Sequence, residues 1–456
     1  MEKNKSSVII PIETKSREFH GKLFLALHLL KMGHPVLLGE QSRLWDYCDL
    51  VEPGLYLDKS VAATRVSWFE RCRAVGHEVV SWDEEGLVFF DDWLYRKQRI
   101  EPKAIDQVFR FFAWGEVQRE AICKEYPQYR GKIALCGNPR FDFLRPELRV
   151  FYQPAVDALK VRFGPMILVN TNFAFYNHYK SPEEVRQLMA QYPIASEPGY
   201  MDKWIAMHKE MHFAYLEMVP QLLARYPEHA VVVRPHPSEN HAPWLELAKT
   251  HPRLHVDSTG NVHEWILASE AVIHFNCTTA VESFLLDVPA IAYRPARYPR
   301  YENYLPNALS ENAFSLEDLH VALGGRKTAK ERGVLWTDEQ KCIAATYMTG
   351  LSGRTAAANV SEQIADLAPR LPERSRSVGE RLISSVKRYW RIPLHALREA
   401  RSSSDGYVAQ KFPGMELGEI RETLVRMMMI SGQEVNFSIR RFAKNCYWLL
   451  PTKKEE

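Results

Sequence analysis

A repeating cadence constrains this chain more than any other feature. Short apolar runs suited to strands alternate with amphipathic stretches of helix length. The first run is VIIPI, residues 8–12. After it, Phe19, Leu23, Ala26 and Leu30 recur at helical spacing, Gly33 and His34 stop the helix, and PVLLGE supplies a second strand. Strand, helix and strand within about 30 residues is the signature of a parallel sheet covered by helices. SWFERCRAVGH, EVVSW, FRFFAWGEVQREAICKEYP and KIALCGNPRFD carry the pattern to residue 142. A second series starts near Pro165 with MILVNTNF, continues through a helix from about Met201 to Tyr226, and then reads HAVVVRP, LHVDSTG, AVIHF and AIAYRP. These β-branched runs with helix-length spacers predict a second parallel sheet.

Two such series predict two Rossmann-like, doubly wound α/β domains, residues 1–160 and 161–365, with a cleft between them. A chain of 456 residues has room for both cores and an appendage. The remainder, 366–456, reads as a basic helical tail. Within it, SVGERLISSVKRYWRIPLHALREARSSS alternates basic residues with Leu, Ile, Val and Trp. That pattern suits a helix pair packed on the body, and equally an interfacial segment resting on an anionic membrane surface. The MMMI run, residues 427–430, reads as core filler.

Several function classes are disfavoured. A formal charge of +3 is too mild for a nucleic-acid partner. No apolar run approaches the length of a membrane span or a secretory leader, so a cytoplasmic protein is expected, with the inner face of the membrane as an alternative site. Seven scattered cysteines without a CxxC pair predict reduced thiols and no metal site. GxGxxG, Walker A and GxSxG sequences are absent, which argues against dinucleotide oxidoreductases, P-loop enzymes and α/β-hydrolases.

The polar clusters follow the predicted strands, where doubly wound sheets bind ligands. In RPHPSEN, Pro235 and Pro237 bracket His236 and fix an imidazole at a strand end. With Arg234 it makes a candidate phosphate site, or simply caps a turn. NCTTAVES opens with Asn276 and places Thr278 and Thr279 at a helix start, where unpaired N–H groups attract anions. Glu282 follows one turn later, suited to a ribose hydroxyl pair or to a capping box. Asn172, in NTNF, offers neutral hydrogen bonds to a nucleotide or donor sugar. Asp83, Glu84 and Glu85, in DEEG, are candidate catalysts, since sugar transfer needs a base or a nucleophile. Their mutual repulsion is expected to raise at least one pKa; the bland alternative is a solvated acidic turn. Glu13, Lys15 and Arg17, near His20, could hold an acidic acceptor. Arg140 and Asp142 suit a hinge or cleft wall, and His178 suits packing.

RPHP resembles the His-Pro element of bacterial sialyltransferases and related enzymes that use CMP-sugars. DEEG resembles their Asp/Glu-Asp/Glu-Gly element, and NCTTAVES their Ser/Thr-rich phosphate-binding segment. Residues 6–310 resemble surface carbohydrate biosynthesis proteins of bacteria, relatives of capsule and lipopolysaccharide Kdo transferases with a GT-B fold. In that family SWDEEGL, FAWGE, GNPRFD, RPHPSE and NCTTAVES occur in this order. The resemblance implies a glycosyltransferase that takes Kdo or another acidic sugar from a CMP-sugar donor to a glycan or glycolipid acceptor, with no further cofactor. It implies that His236, Thr278 and Thr279 contact the CMP phosphate, that Glu282 faces the ribose, and that the first domain binds the acceptor. A UDP-sugar 2-epimerase, a UDP-sugar or CDP-polyol transferase, and a non-enzymatic scaffold remain as alternatives.

Overall fold

A computed structural model describes residues 5–190, 192–331, 333, 335–370, 377–401 and 411–452. The strands are β1 Val8–Ile12, β2 Val36–Glu40, β3 Leu55–Asp58, β4 Glu78–Ser81, β5 Val108–Ala113 and β6 Ile133–Leu135. A further set comprises β7 Met166–Asn170, β8 Ala230–Arg234, β9 Leu254–Val256, β10 Ala271–His274, β11 Ala290–Tyr293 and β12 Glu311–Ala313. A terminal hairpin is formed by β13 Phe437–Ala443 and β14 Cys446–Pro451. The chain divides into two units. One takes Met1–Leu87, Arg99–Phe143 and Tyr347–Glu456; the other takes Val88–Gln98 and Leu144–Thr346.

In the first unit the sheet order is β13-β14-β2-β1-β3-β4-β5-β6. The strands from β1 to β6 pair in parallel. All five residues of β1 are buried, as expected for a strand covered on both faces. The Lys15–Lys31 helix buries Phe19, Leu23, Ala26 and Leu30, the stripe that its periodicity predicts.

The end of the chain departs from the sequence reading. The segment expected to be a helical tail contains the helices Val378–Arg401 and Leu417–Ser431, but then closes with a hairpin. β14 runs antiparallel to β2 and adds two strands to the sheet edge. Asn445 turns the hairpin with a left-handed φ of 58°, a conformation asparagine tolerates. Gly39 permits the docking, because a Cβ there would stand 2.7 Å from Cys446 Sγ. Of the MMMI run, Met427 is core while Met429 is exposed. Residues 371–376, 402–410 and 453–456 of the expected tail lie outside the described residues.

In the second unit the order is β12-β11-β10-β7-β8-β9, with every pair parallel. Its core is built on the long Tyr200–Arg225 helix. Met207, Met211, Tyr215, Met218 and Leu222 face the sheet residues Val169, Val231, Val233 and Ile273. In each sheet the chain reverses its direction of travel, between β1 and β3 in one and between β7 and β10 in the other. Such switch points open a crevice beyond the carboxyl ends of the strands.

Candidate functional site

The second unit gathers most of the proposed donor-binding residues along one sheet edge. Asn170 pairs in register with Arg234 on β8 and with His274 on β10. Asn172, His236 and Asn276 each follow two residues beyond that row, in the loops that leave three neighbouring strands. The loops after β7 and β8 are joined to one another. Tyr179 N–H donates to Ser238 O at 3.1 Å and Asn240 N–H to Asn177 O at 2.8 Å, while His178 and Glu239 form a bridge. His178 therefore belongs to the framework, its Nδ1 accepting from Lys180 N–H at 2.9 Å.

His236 is exposed and fixed in orientation. Its Nδ1 accepts the Ser238 N–H at 3.2 Å. A neutral ring so held carries its proton on Nε2. Asn172, Thr278 and Thr279 are half-buried nearby in the strand order. These side chains offer hydrogen-bond donors beyond the strand ends.

Glu239 is the residue that sequence reasoning missed. Its Oε1 accepts from Thr171 Oγ1 at 2.8 Å and from the His236 N–H at 3.0 Å. The side chain is buried, and Oε2 has no hydrogen-bond partner. Desolvation pushes the carboxyl up to about 7, against the pull of the Thr171 hydroxyl and the His236 N–H. Glu239 thus ties the β7 loop to the turn that carries His236. The motif RPHPSE contains it, but nothing in the residue types marks a glutamate as buried.

Three other expected donor contacts are turned to the framework. The Arg234 guanidinium donates to the carbonyls of Asp257 and Thr259 at 3.1 and 2.8 Å, and to those of Ser258 and Gly260 at 3.3 and 3.5 Å. It clamps this loop rather than reaching beyond the strand end, and burial lowers its pKa to about 10. Asn276, at φ 48°, donates to Tyr301 O and accepts from Asn303 N–H and Asn307 Nδ2. Glu282 is fully buried and lies 3.5 Å from His263 Nε2, whose Nδ1 meets the Tyr152 hydroxyl at 3.1 Å. A carboxylate so enclosed does not present itself to a ribose.

In the first unit the three DEEG acids share one turn but not one environment. Gly86 closes that turn beneath Gln118, whose Nε2 would stand 2.0 Å from a Cβ. Asp83 is buried and receives two hydrogen bonds from Arg99. Glu84, also buried, accepts from Trp82 Nε1 at 2.9 Å and stands 3.5 Å from Lys22 Nζ. Glu85 keeps 55% of its side chain open and accepts from Arg17 Nη1 at 2.6 Å.

The expected upward shift is reversed at Glu85. Desolvation works upward there, but the guanidiniums of Arg17, Arg99 and Arg140 outweigh it and hold the carboxyl at about 2. Cations interleave the acids, so repulsion among carboxylates is not what sets this titration. Arg99 and Lys22 carry much of that neutralisation, and neither is part of the DEEG motif. Lys22 Nζ also donates to Glu18 Oε2 and Pro11 O, both at 2.6 Å. Burial opposes both charges of this pair, yet mutual attraction wins: Glu18 titrates below and Lys22 above its ordinary value. The i,i+4 spacing of Glu18 and Lys22 was a legible sign of that contact.

The remaining first-unit candidates are similarly engaged. Glu13 is held at about 2: desolvation would raise it, but Lys59 and Lys411 prevail. Lys15 donates to Gly414 O at 2.5 Å and Glu419 Oε2 at 2.7 Å, securing the C-terminal segment. Arg140 is half-buried and stands over the Phe141 ring. Asp142 accepts the N–H groups of Ala356 and Ala357 at 2.7 and 2.8 Å. It caps the Ala356–Leu367 helix, which explains its burial without any part in catalysis.

Among the described residues no group of three or more His, Cys, Asp or Glu is placed to hold a metal ion. No described helix is long and apolar enough to cross a membrane.

No family model matches the sequence, and no curated protein matches it. Solved structures do. One is the wall teichoic acid polymerase TagF soaked with CDPG, at TM-score 0.51 and 11% identity over 82% of this chain and 90% of that one. A histidine-to-alanine variant of TagF gives 0.50 and 8% over 82% and 91%. The fold is GT-B-like. A UDP-N-acetylglucosamine 2-epimerase also aligns, at TM-score 0.49 and 13% identity over 83% of this chain and 99% of that one. The two parallel α/β units with flanking helices are the architecture that the sequence predicted.

Proposed function

We propose that this protein is a transferase that uses a nucleotide-activated sugar or polyol as donor to build a surface glycan or glycolipid. The second unit binds the donor and the first unit the acceptor. One observation carries the reading: Asn172, His236 and the Asn276–Thr279 segment leave three adjacent strands at the same sheet edge, beside a switch point. When the donor breaks, negative charge collects on the phosphate oxygen of the leaving nucleotide. An imidazole N–H already fixed by its own Nδ1 contact stabilises that charge by hydrogen bonding without reorganisation. Of the three DEEG acids, Glu85 is the one with an open carboxylate, and it is assigned to the acceptor hydroxyl.

The likeness to TagF, a polymerase soaked with CDPG, supports a CDP-activated donor over the CMP-activated acidic sugar that the His-Pro resemblance implies. The CMP-sugar reading, with Kdo or a related sugar, rests on the resemblances of RPHP and DEEG. A thermal-shift panel of CMP, CDP, UMP, UDP and GDP, with the intact CMP-sugar and CDP-polyol donors added because both release CMP, separates the two, since a ligand specific to the native state raises its stability. Stabilisation by CDP and the CDP-polyol but not by the CMP-sugar is the expected result. Failure of every nucleotide to stabilise a folded protein would defeat the transferase reading. Conversion of a UDP-sugar without any acceptor would assign an epimerase instead.

A further inference from the structure

The Val378–Arg401 helix faces the wrong way for a helix that serves only the core. Leu382, Ile383, Val386, Tyr389, Trp390 and Leu394 are each between 49% and 73% exposed. At 100° per residue they fall, with Pro393, in one sector about 140° wide. Isolated exposed apolar residues are ordinary, but a continuous face of this kind marks an interaction surface.

The opposite side makes the contacts with the first unit. Arg391 Nη1 donates to both oxygens of Asp49 at 2.9 and 3.0 Å, and the Arg388 guanidinium stands 4.6 Å over the Phe442 ring. Ser384, Arg391 and Ile392 are the half-buried positions. The helix is thus anchored by its basic side and turns its apolar side outward.

We infer that this outward face seats the protein on an anionic lipid surface. Charge favours that occupant. Residues 370–401 contain nine Lys and Arg against three Glu; with Arg388 and Arg391 held against the body, seven remain, and Lys387 is exposed at the margin of the apolar sector. A tyrosine and a tryptophan side by side suit the headgroup boundary, where amphipathic rings settle. Area disfavours a second copy of this chain. Leu382 to Leu394 spans about 20 Å of a helix about 10 Å across, a strip on the order of 200 Å², far less than the roughly 800 Å² per partner of a standard interface. An interfacial helix needs only such an apolar strip with basic residues beside it. The inference is independent of which donor the second unit takes.

The test is flotation of the full chain with vesicles of phosphatidylglycerol and phosphatidylcholine in equal parts, and with phosphatidylcholine alone. The wild type should float with the anionic vesicles and at least tenfold less with the neutral ones. A Leu382→Ser, Val386→Ser, Trp390→Ser variant with unchanged circular dichroism should lose anionic binding by tenfold or more. A Trp390→Phe variant, which keeps the apolar face, should lose the fluorescence quenching that brominated lipid causes in the wild type. Equal flotation of wild type and triple variant, or unaltered quenching in Trp390→Phe, would overturn the inference. So would a lipid-free dimer that the triple substitution converts to monomer.

Discussion

The two sheets place polar residues at equivalent edges and treat charge in opposite ways. In the first unit the acids have cationic partners: Asp83 with Arg99, Glu84 and Glu18 with Lys22, Glu85 with Arg17, and Glu13 with Lys59 and Lys411. In the second unit the loops beyond the strand ends carry Asn172, His236, Thr278 and Thr279, and the carboxylate that the His236 N–H meets, Glu239, is buried without a cation in hydrogen-bonding contact. The first arrangement stabilises charge that is already present. The second, on the proposed function, leaves donors for charge that arrives with a ligand.

Disrupting the first arrangement should have the largest effect. Lys22→Met removes the ammonium that Glu18 and Glu84 share, leaving Glu18 only the more distant Arg17 at 3.9 Å, and stability measured by urea unfolding should fall by roughly 3–5 kcal/mol. Disrupting the second should spare the fold and cost activity. His236→Ala is expected to lower turnover about 10²–10³-fold, with an unfolding midpoint unchanged from wild type.

Glu239 sharpens the contrast, because its carboxyl is raised from 4.5 to about 7 on folding. A raised carboxyl contributes stability below pH 4.5, and this is lost as pH climbs through 7. Wild-type stability should therefore decline across that window by on the order of 3 kcal/mol from this group. Glu239→Gln should flatten the decline, since its amide oxygen still accepts from Thr171 and His236. An unchanged pH slope in denaturant titrations would contradict the buried, uncompensated carboxylate. The smallest effect is expected at Asp142→Ala, where loss of the helix cap should cost about 1–2 kcal/mol and leave nucleotide binding intact.

The parallel sheets were legible because their strands are short apolar runs with helix-length spacers, as in VVVR and AVIH. LYLD of β3 was not, since it holds no β-branched residue and stands between the turn-forming flanks EPG and DKS. The terminal hairpin was hidden by Arg440 and Arg441, which read as part of a basic tail although Phe442 and Leu449 on either side of the turn are buried. At the candidate sites, spacing marked loops that follow strands but not the direction of each side chain. Arg234 and Glu282 have the chemistry of ligand contacts, yet the Asp257–Gly260 carbonyls and His263 take them inward. Those partners lie at least 19 residues away, beyond any local pattern.

The most direct measurement is calorimetric titration of CDP into the wild type, His236→Ala and Arg17→Ala. If the His236 edge of the second unit holds the nucleotide phosphate, His236→Ala should weaken binding at least tenfold and Arg17→Ala should leave it within about twofold. Undiminished affinity in His236→Ala, with the loss appearing in Arg17→Ala instead, would contradict the account.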